Sequence, residues 1–406
     1  MDAFLAAFAL AAVTGLGLAT VIAGVIGRLG FALPAGSGRL GCIDGLRGYL
    51  ALSVMLHHFF IWSDITRFGG QWSTPSIAVL NELGAGGVAL FFMITGAVFY
   101  PRIITGFRAT SWTSVYIGRI FRILPLVAFS IAVVIGVILL RADDVVLDRR
   151  FIGAAARWLS AWGEPPLLGY PDSGRINAYV LWSLKLEWLF YLLLLPACAA
   201  AMDVVRARGL PTLVVPLGLL TLLVGARLGT GLAGVHLEIL QYLPLFAVGM
   251  LGFECQARPH VGALLARPTV GILAGAALLA GMTLTAFPYT LALPLFGFFF
   301  VSVICGNDLG GLLRKRGALV LGECSFGIYL LHGIVLDIVF TDAAGLHARL
   351  PDAALPILLP AAMTVVVVVT AITYLIVERP AIDAGRAVVE RLRARTGGQR
   401  RPQPAR

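Results

Sequence analysis

Apolar stretches long enough to cross about 30 Å of hydrocarbon recur along the whole chain, divided by short segments rich in Gly, Pro and Arg. Lipid offers such a chain only two ways to satisfy its backbone, helices or a closed barrel. The barrel fails, because no ten-residue apolar/polar alternation repeats. Of 406 residues, 59% are hydrophobic and 13% are charged, about half the charged share of a soluble domain. A soluble enzyme, a disordered regulator and a single-anchor receptor are excluded. The fold class is an all-α polytopic membrane protein.

Apolar windows read against Gly, Pro and charge punctuation give about eleven transmembrane helices. They fall near 4–26, 46–61, 86–100, 123–140, 179–202, 211–229, 237–253, 268–286, 289–305, 317–340 and 355–377. The first has no basic region before it, and its apolar run exceeds that of a signal peptide, so it reads as a retained helix. With alternating sides, 21 basic residues fall with Arg28 and Arg39 and 8 fall opposite. That asymmetry places the N-terminus outside and the C-terminus in the cytoplasm. The longest outside segment, about 142–179, shows no obvious secondary structure and reads as a binding lid or acceptor platform. The Arg-rich tail, 387–406, reads as disordered and close to anionic lipid.

The net charge of +10 does not point to nucleic acid, because the basic residues sit at span ends, where they set topology. Cys42, Cys198, Cys255, Cys305 and Cys324 are dispersed and odd in number, with neither metal-ligand spacing nor a disulfide framework. No metal is expected.

Ionisable groups inside spans are costly unless paired or solvated, so each is a functional candidate. Arg47, beside Asp44, begins the second span, and His58 follows His57 eleven residues later, about 16 Å along the helix and on the same face. Glu187 lies about two turns into the fifth span, in Trp182-Ser183-Leu184-Lys185-Leu186-Glu187. Lys185 faces elsewhere, which makes a histidine from another span the natural partner of Glu187. Arg119 and Arg122, one turn apart at the start of the fourth span, suit phosphate oxygens as well as plain topology. His332 falls in the tenth span at a depth comparable with His58 and Glu187. Cations thus gather at the cytoplasmic mouth, and His58, Glu187 and His332 toward the outer half. That is a layout for group transfer across a membrane.

Six segments in this order resemble the membrane acyltransferase-3 family of bacterial acyltransferases. They are Asp44-Gly45-Leu46-Arg47-Gly48 through His58, Phe91-Phe92-Met93-Ile94-Thr95-Gly96, Arg119-x-x-Arg122-Ile123-x-Pro125, Trp182-Ser183-Leu184-x-x-Glu187-x-x-Phe190-Tyr191, Leu321-Gly322-x-x-Ser325-Phe326-x-x-Tyr329-Leu330-x-His332 and Glu378-Arg379-Pro380. The similarity spans about 40–386. It implies an extra N-terminal helix and linker (1–39), a ten-helix acyltransferase domain (40–386) and the basic tail. Thr95 stands where the family usually has Ser, and Lys185 where a small or polar residue is common.

The resemblance implies transfer of an acyl group, usually acetyl from acetyl-CoA, to a hydroxyl of a carbohydrate or glycolipid outside the cytoplasm, in a bacterial inner membrane. Arg47, Arg119 and Arg122 would hold the CoA phosphates. His58 would serve as general base or carry the acyl group transiently, with Glu187 orienting it. Asp44, His57, Trp182, Ser183, Lys185, Tyr329 and His332 would support the site. The bilayer is the other partner, and a homo-oligomer is compatible with the chain. The competing readings are a secondary transporter or flippase for a polar lipid or sugar, a glycan ligase using a lipid-linked donor, and a lipid scaffold.

Overall fold

The computed structural model describes residues 2–31, 33, 41–69, 71–147, 149–233, 238–284, 289, 292–343, 345 and 349–395. Among them there is no strand, only the isolated bridge between Leu167 and Tyr170. The helices are α1 (Asp2–Arg28), α2 (Gly41–Phe68), α3 (Ala78–Thr105), α4 (Trp112–Arg141), α5 (Arg149–Leu159), α6 (Trp182–Ala207), α7 (Val214–Leu232), α8 (Ile239–Gln256), α9 (Pro259–Leu265), α10 (Pro268–Leu284), α11 (Leu293–Ile304), α12 (Arg316–Glu323), α13 (Ser325–Asp337), α14 (Leu358–Thr373) and α15 (Arg379–Arg395). Single π turns interrupt α6 at Phe190–Leu194, extend α13 through Ile338–Asp342 and join α14 to α15 through Tyr374–Glu378.

Among the described residues, seven helices have the length and apolarity to cross a membrane. An eighth is added if α9 and α10, bent by 67°, form one broken span. The protein is an integral membrane protein. Each of the eleven expected spans contains a helix, but eleven crossings do not follow from length and apolarity alone. α2 is 28 residues long yet carries Asp44, Arg47, Asp64 and Arg67, and α11 is only 12 residues.

Two other expectations change. The segment 142–179 contains the eleven-residue helix α5, whose Ala154 and Trp158 turn inward one turn apart. Trp158 is fully buried, and its indole N–H donates to the Pro165 carbonyl at 2.8 Å. The basic tail expected from 387 is helical as far as Arg395, because α15 continues from α14 with Gly385 packed against Phe121. The rest of that tail, like Arg39, lies outside the described residues.

In lipid, apolar side chains gain little by leaving the solvent, so helices associate where small residues let backbones touch. Here α3 runs between α2 and α8, and α2 packs also on α12 and α13. Gly96 of α3 lies against the Phe246 carbonyl of α8, and Gly249 of α8 against the Met93 carbonyl of α3, where no Cβ fits. Gly322 of α12 meets the Asp44 carbonyl of α2 in the same way. At the far end, Arg141 of α4 pairs with the buried Asp337 of α13 at 2.6 Å and with Asp342.

Gly96→Val must push α3 from α8, an overpacking worth roughly 1–3 kcal/mol. Its melting temperature in detergent, followed by size-exclusion chromatography after heating, is expected to fall by several degrees. A substitution at Gly218, which faces open space, is expected to leave it unchanged.

Candidate active site

Five helices bring the ionisable residues to one cavity. α2 supplies Asp44 and Arg47 from its first two turns, and α4 supplies Arg119 and Arg122. α6 supplies Ser183, Glu187 and Tyr191, whose four-residue spacing keeps them on one face. The α12–α13 break at Cys324 supplies Glu323, Ser325 and Tyr329. Phe91, Thr95 and Phe99 of α3 complete the wall of a cavity of about 360 Å³, within the range of small-molecule sites.

Its charges are matched. Arg47 lies 3.9 Å from Asp44. The Arg119 guanidinium sits over the rings of Phe99, at 5.0 Å, and Tyr191, at 5.7 Å. The Tyr191 hydroxyl donates to Glu187 Oε2 at 3.1 Å, and Tyr374 donates to Glu323 Oε2 at 3.1 Å. Three guanidinium groups and three carboxylates therefore share the cavity. At its inner end the Tyr329 hydroxyl donates to the Val180 carbonyl at 3.2 Å and meets the Ser183 hydroxyl at 2.8 Å.

Beyond Tyr329 lies a pair of histidines. His58 Nδ1 and His332 Nε2 are 2.9 Å apart, and His332 Nδ1 lies 2.9 Å from the Ile328 carbonyl. A carbonyl only accepts, so Nδ1 of a neutral His332 carries the proton and its Nε2 is the acceptor. Nδ1 of His58 must then donate, which leaves the lone pair on His58 Nε2. The neighbouring rings hold the His58 ring in place: His332 stacks on it at 5.0 Å, and Trp72 at 5.8 Å. His332 is fully buried, whereas His58 keeps part of its surface open.

This arrangement revises the expected pairing. Glu187 binds Tyr191, which lies in the π turn, and shares the cavity of the arginines, and His332 takes the orienting position beside His58. His57 turns to α3, with Nδ1 on the Leu80 carbonyl at 2.8 Å and its ring against Gly84. Trp182 packs on Tyr242 at 5.2 Å, and the Lys185 ammonium sits 5.0 Å over Trp162, so neither lines the cavity. Sequence reasoning missed Glu323 and Trp72. Glu323 sits at an unassigned position of the Leu321-Gly322-x-x-Ser325 segment, and an intramembrane carboxyl there was signal enough. Trp72 gave no signal beyond being aromatic. Among the described residues, no group of three or more His, Cys, Asp or Glu side chains is placed to hold a metal ion.

The loop before α6 covers the histidine side. Glu164 Oε1 accepts the Leu181 N–H at 2.9 Å, beside the carbonyl of Val180 that holds Tyr329. Burial pushes the Glu164 carboxyl up to about 8, against the opposing pull of that N–H.

A polytopic helical bundle with a cavity of paired arginines and carboxyl groups ending next to an imidazole base is the layout of a membrane group-transfer enzyme. The acyltransferase domain profile of the acyltransferase-3 family matches residues 40–376, and the chain belongs to that family. No curated protein and no solved structure matches the chain. The protein is a membrane acyltransferase.

Glu164 also makes a prediction. Its proton is held in the folded state and released on unfolding between the ordinary carboxyl value and about 8, so stability falls as pH rises through that window. Glu164→Gln removes this loss. In melting curves its advantage over wild type is expected to grow from pH 5 to 8 and to stay level above. A constant difference across the range would disprove the burial of an uncharged Glu164.

Proposed function

We propose that the enzyme takes an acyl group, most simply acetyl, from CoA on the cytoplasmic side and transfers it to a hydroxyl of a carbohydrate or glycolipid on the opposite side of a bacterial inner membrane. The observation that supports this reading is the joining of a three-arginine cavity to a lone pair on His58 Nε2 across the Ser183–Tyr329 contact. Arg47, Arg119 and Arg122 hold the phosphates at the mouth by charge-assisted hydrogen bonds. The cavity takes the thioester-bearing arm, whose carbonyl comes to rest by Ser183 and Tyr329.

His58 Nε2 removes the proton from the acceptor hydroxyl as its oxygen attacks the thioester carbon. The C–S bond breaks, the ester forms and the CoA thiolate leaves toward the arginines. The hydrogen bond from His58 Nδ1 to His332 strengthens as His58 becomes an imidazolium, the task a carboxylate performs in hydrolase triads. The Ser183 hydroxyl, turning from the Tyr329 oxygen, is the donor for the developing oxyanion, while Tyr329 stays on the Val180 carbonyl. The same lone pair also serves a two-step route through an acyl-histidine. Glu187 keeps Tyr191 and the neighbouring Arg119 in place at the donor.

The transporter reading predicts flux of substrate without thioester consumption, so one experiment separates the two. Inside-out vesicles receive acetyl-labelled CoA, and label in luminal glycans is measured. Wild type is expected to transfer label, His58→Ala to lose at least 10²-fold in transfer while retaining CoA affinity, and Arg47→Ala to bind CoA roughly 10-fold more weakly. Unchanged CoA affinity in Arg47→Ala would refute the phosphate clamp. His332→Ala, which frees the tautomer of His58, is expected to lower the maximal rate and leave CoA affinity unchanged.

A further inference from the structure

The surroundings of His58 contain three buried hydrogen-bonding atoms with no partner. Asn177 is fully buried, and its Nδ2 is unpaired although its Oδ1 accepts the Tyr179 N–H at 3.2 Å. Trp62, one turn beyond His58 on α2 and 4% exposed, leaves its indole N–H unpaired. Glu164 Oε2 is shielded from solvent and likewise unpaired. Such atoms are expensive to bury and rare in a settled interior.

The Trp72 ring, which stacks on His58, touches both Trp62 and Tyr179. Trp62 meets Trp72 edge-on at 5.8 Å, and Tyr179 meets it at 5.4 Å. Asn177 packs its backbone on Gly333, the residue after His332, and Gly174 lies against both the Tyr179 ring and Glu164 Oε2. Trp72 and Tyr179 are partly exposed, so the group opens toward the surface. The backbone here is strained. Of the six non-glycine residues with left-handed φ among the described residues, five are Ala161, Leu168, Asp172, Ala178 and Tyr179. Strain of this kind persists where the fold shapes a ligand clamp.

We propose that this group is the acceptor subsite, taking one sugar ring against Trp72, with Asn177 Nδ2, Trp62 Nε1 and Glu164 Oε2 meeting its hydroxyls. The inference rests on the acyl-transfer reading and names the residues that select its acceptor. An aromatic face with unpaired polar atoms around it matches a pyranose, which presents C–H groups on its faces and hydroxyls at its edge. Arg175, 5.3 Å over the Trp62 ring, disfavours a cationic ligand and accepts a neutral or acidic sugar. Glu164, uncharged below about pH 8, donates from Oε2 as well as accepting. The ring hydroxyl nearest His58 Nε2 is then the one acylated.

Detergent-solubilised full-length protein is applied to an array of neutral and acidic oligosaccharides, and CoA binding is measured on the same preparations by calorimetry. Wild type is expected to retain at least one oligosaccharide. Asn177→Asp, which keeps Oδ1 and removes the donor, and Glu164→Leu, which removes both carboxyl oxygens, are each expected to weaken that retention at least 10-fold with CoA affinity unchanged. Trp72→Ala, at a partly exposed position, provides a third variant should either of these fail to fold. Retention within two-fold of wild type in the folded variants would overturn the proposal, as would a wild type that binds CoA and retains no oligosaccharide. Retention lost in the variants, from a wild type with no affinity for CoA, would uphold the sugar site and overturn the acyl-donor reading instead.

Discussion

Charge in hydrocarbon is tolerable only when another group meets it, and meeting it requires helices that approach closely. In this protein that approach is set by backbone touching backbone. Gly322 brings α12 onto the carbonyl of Asp44, and Gly96 and Gly249 bring α8 onto α3. Only with α2 and α12 at that distance do Asp44, Arg47 and Glu323 share a wall with Arg119, Arg122 and Glu187. The polar cavity is thus a product of residues with no side chain, several of them outside it.

The site divides into two compartments with different chemistry. One is wide, charged and lined from six helices. The other is a narrow stack of rings, in which proton positions are dictated by one backbone carbonyl, that of Ile328. Tyr329 belongs to both, as it lines the cavity and lies 6.3 Å from the His332 ring, one turn away on α13. Tyr329 thus joins the two compartments. The loop over the rings contributes its own constraint through strained backbone and an uncharged Glu164.

The fold class and most of the site were legible in the amino-acid sequence because lipid imposes a harsh rule on charge. Arg47, Arg119, Arg122 and Glu187 stood out as residues a bilayer penalises, and the cavity contains all four. Which partner each would take was not legible. Glu187 and His58 have similar depth along their own helices, but the π turn at Phe190–Leu194 follows Glu187 and contains Tyr191, and their hydrogen bond faces the arginines. Rotation about a helix axis is set by neighbours, and a single sequence does not encode neighbours directly. Helix α5 was legible in its 3–4 spacing of Phe151, Ala154 and Trp158 but was hidden by the Arg, Gly and Pro around it. Trp182 and Lys185 show the converse, since a motif can hold residues that face lipid or a loop beside residues that face the site.

The contact among Tyr329, Ser183 and Val180 has a consequence for the membrane itself. A polar cavity and an imidazole pair joined by exchangeable hydrogens would together make a wire for protons across a bilayer. The tyrosine hydroxyl ends on a carbonyl, an acceptor with no proton to pass on, so the chain of exchangeable hydrogens is cut there. The same three groups that join the cavity to the imidazole pair thus also break the path that protons would follow between them.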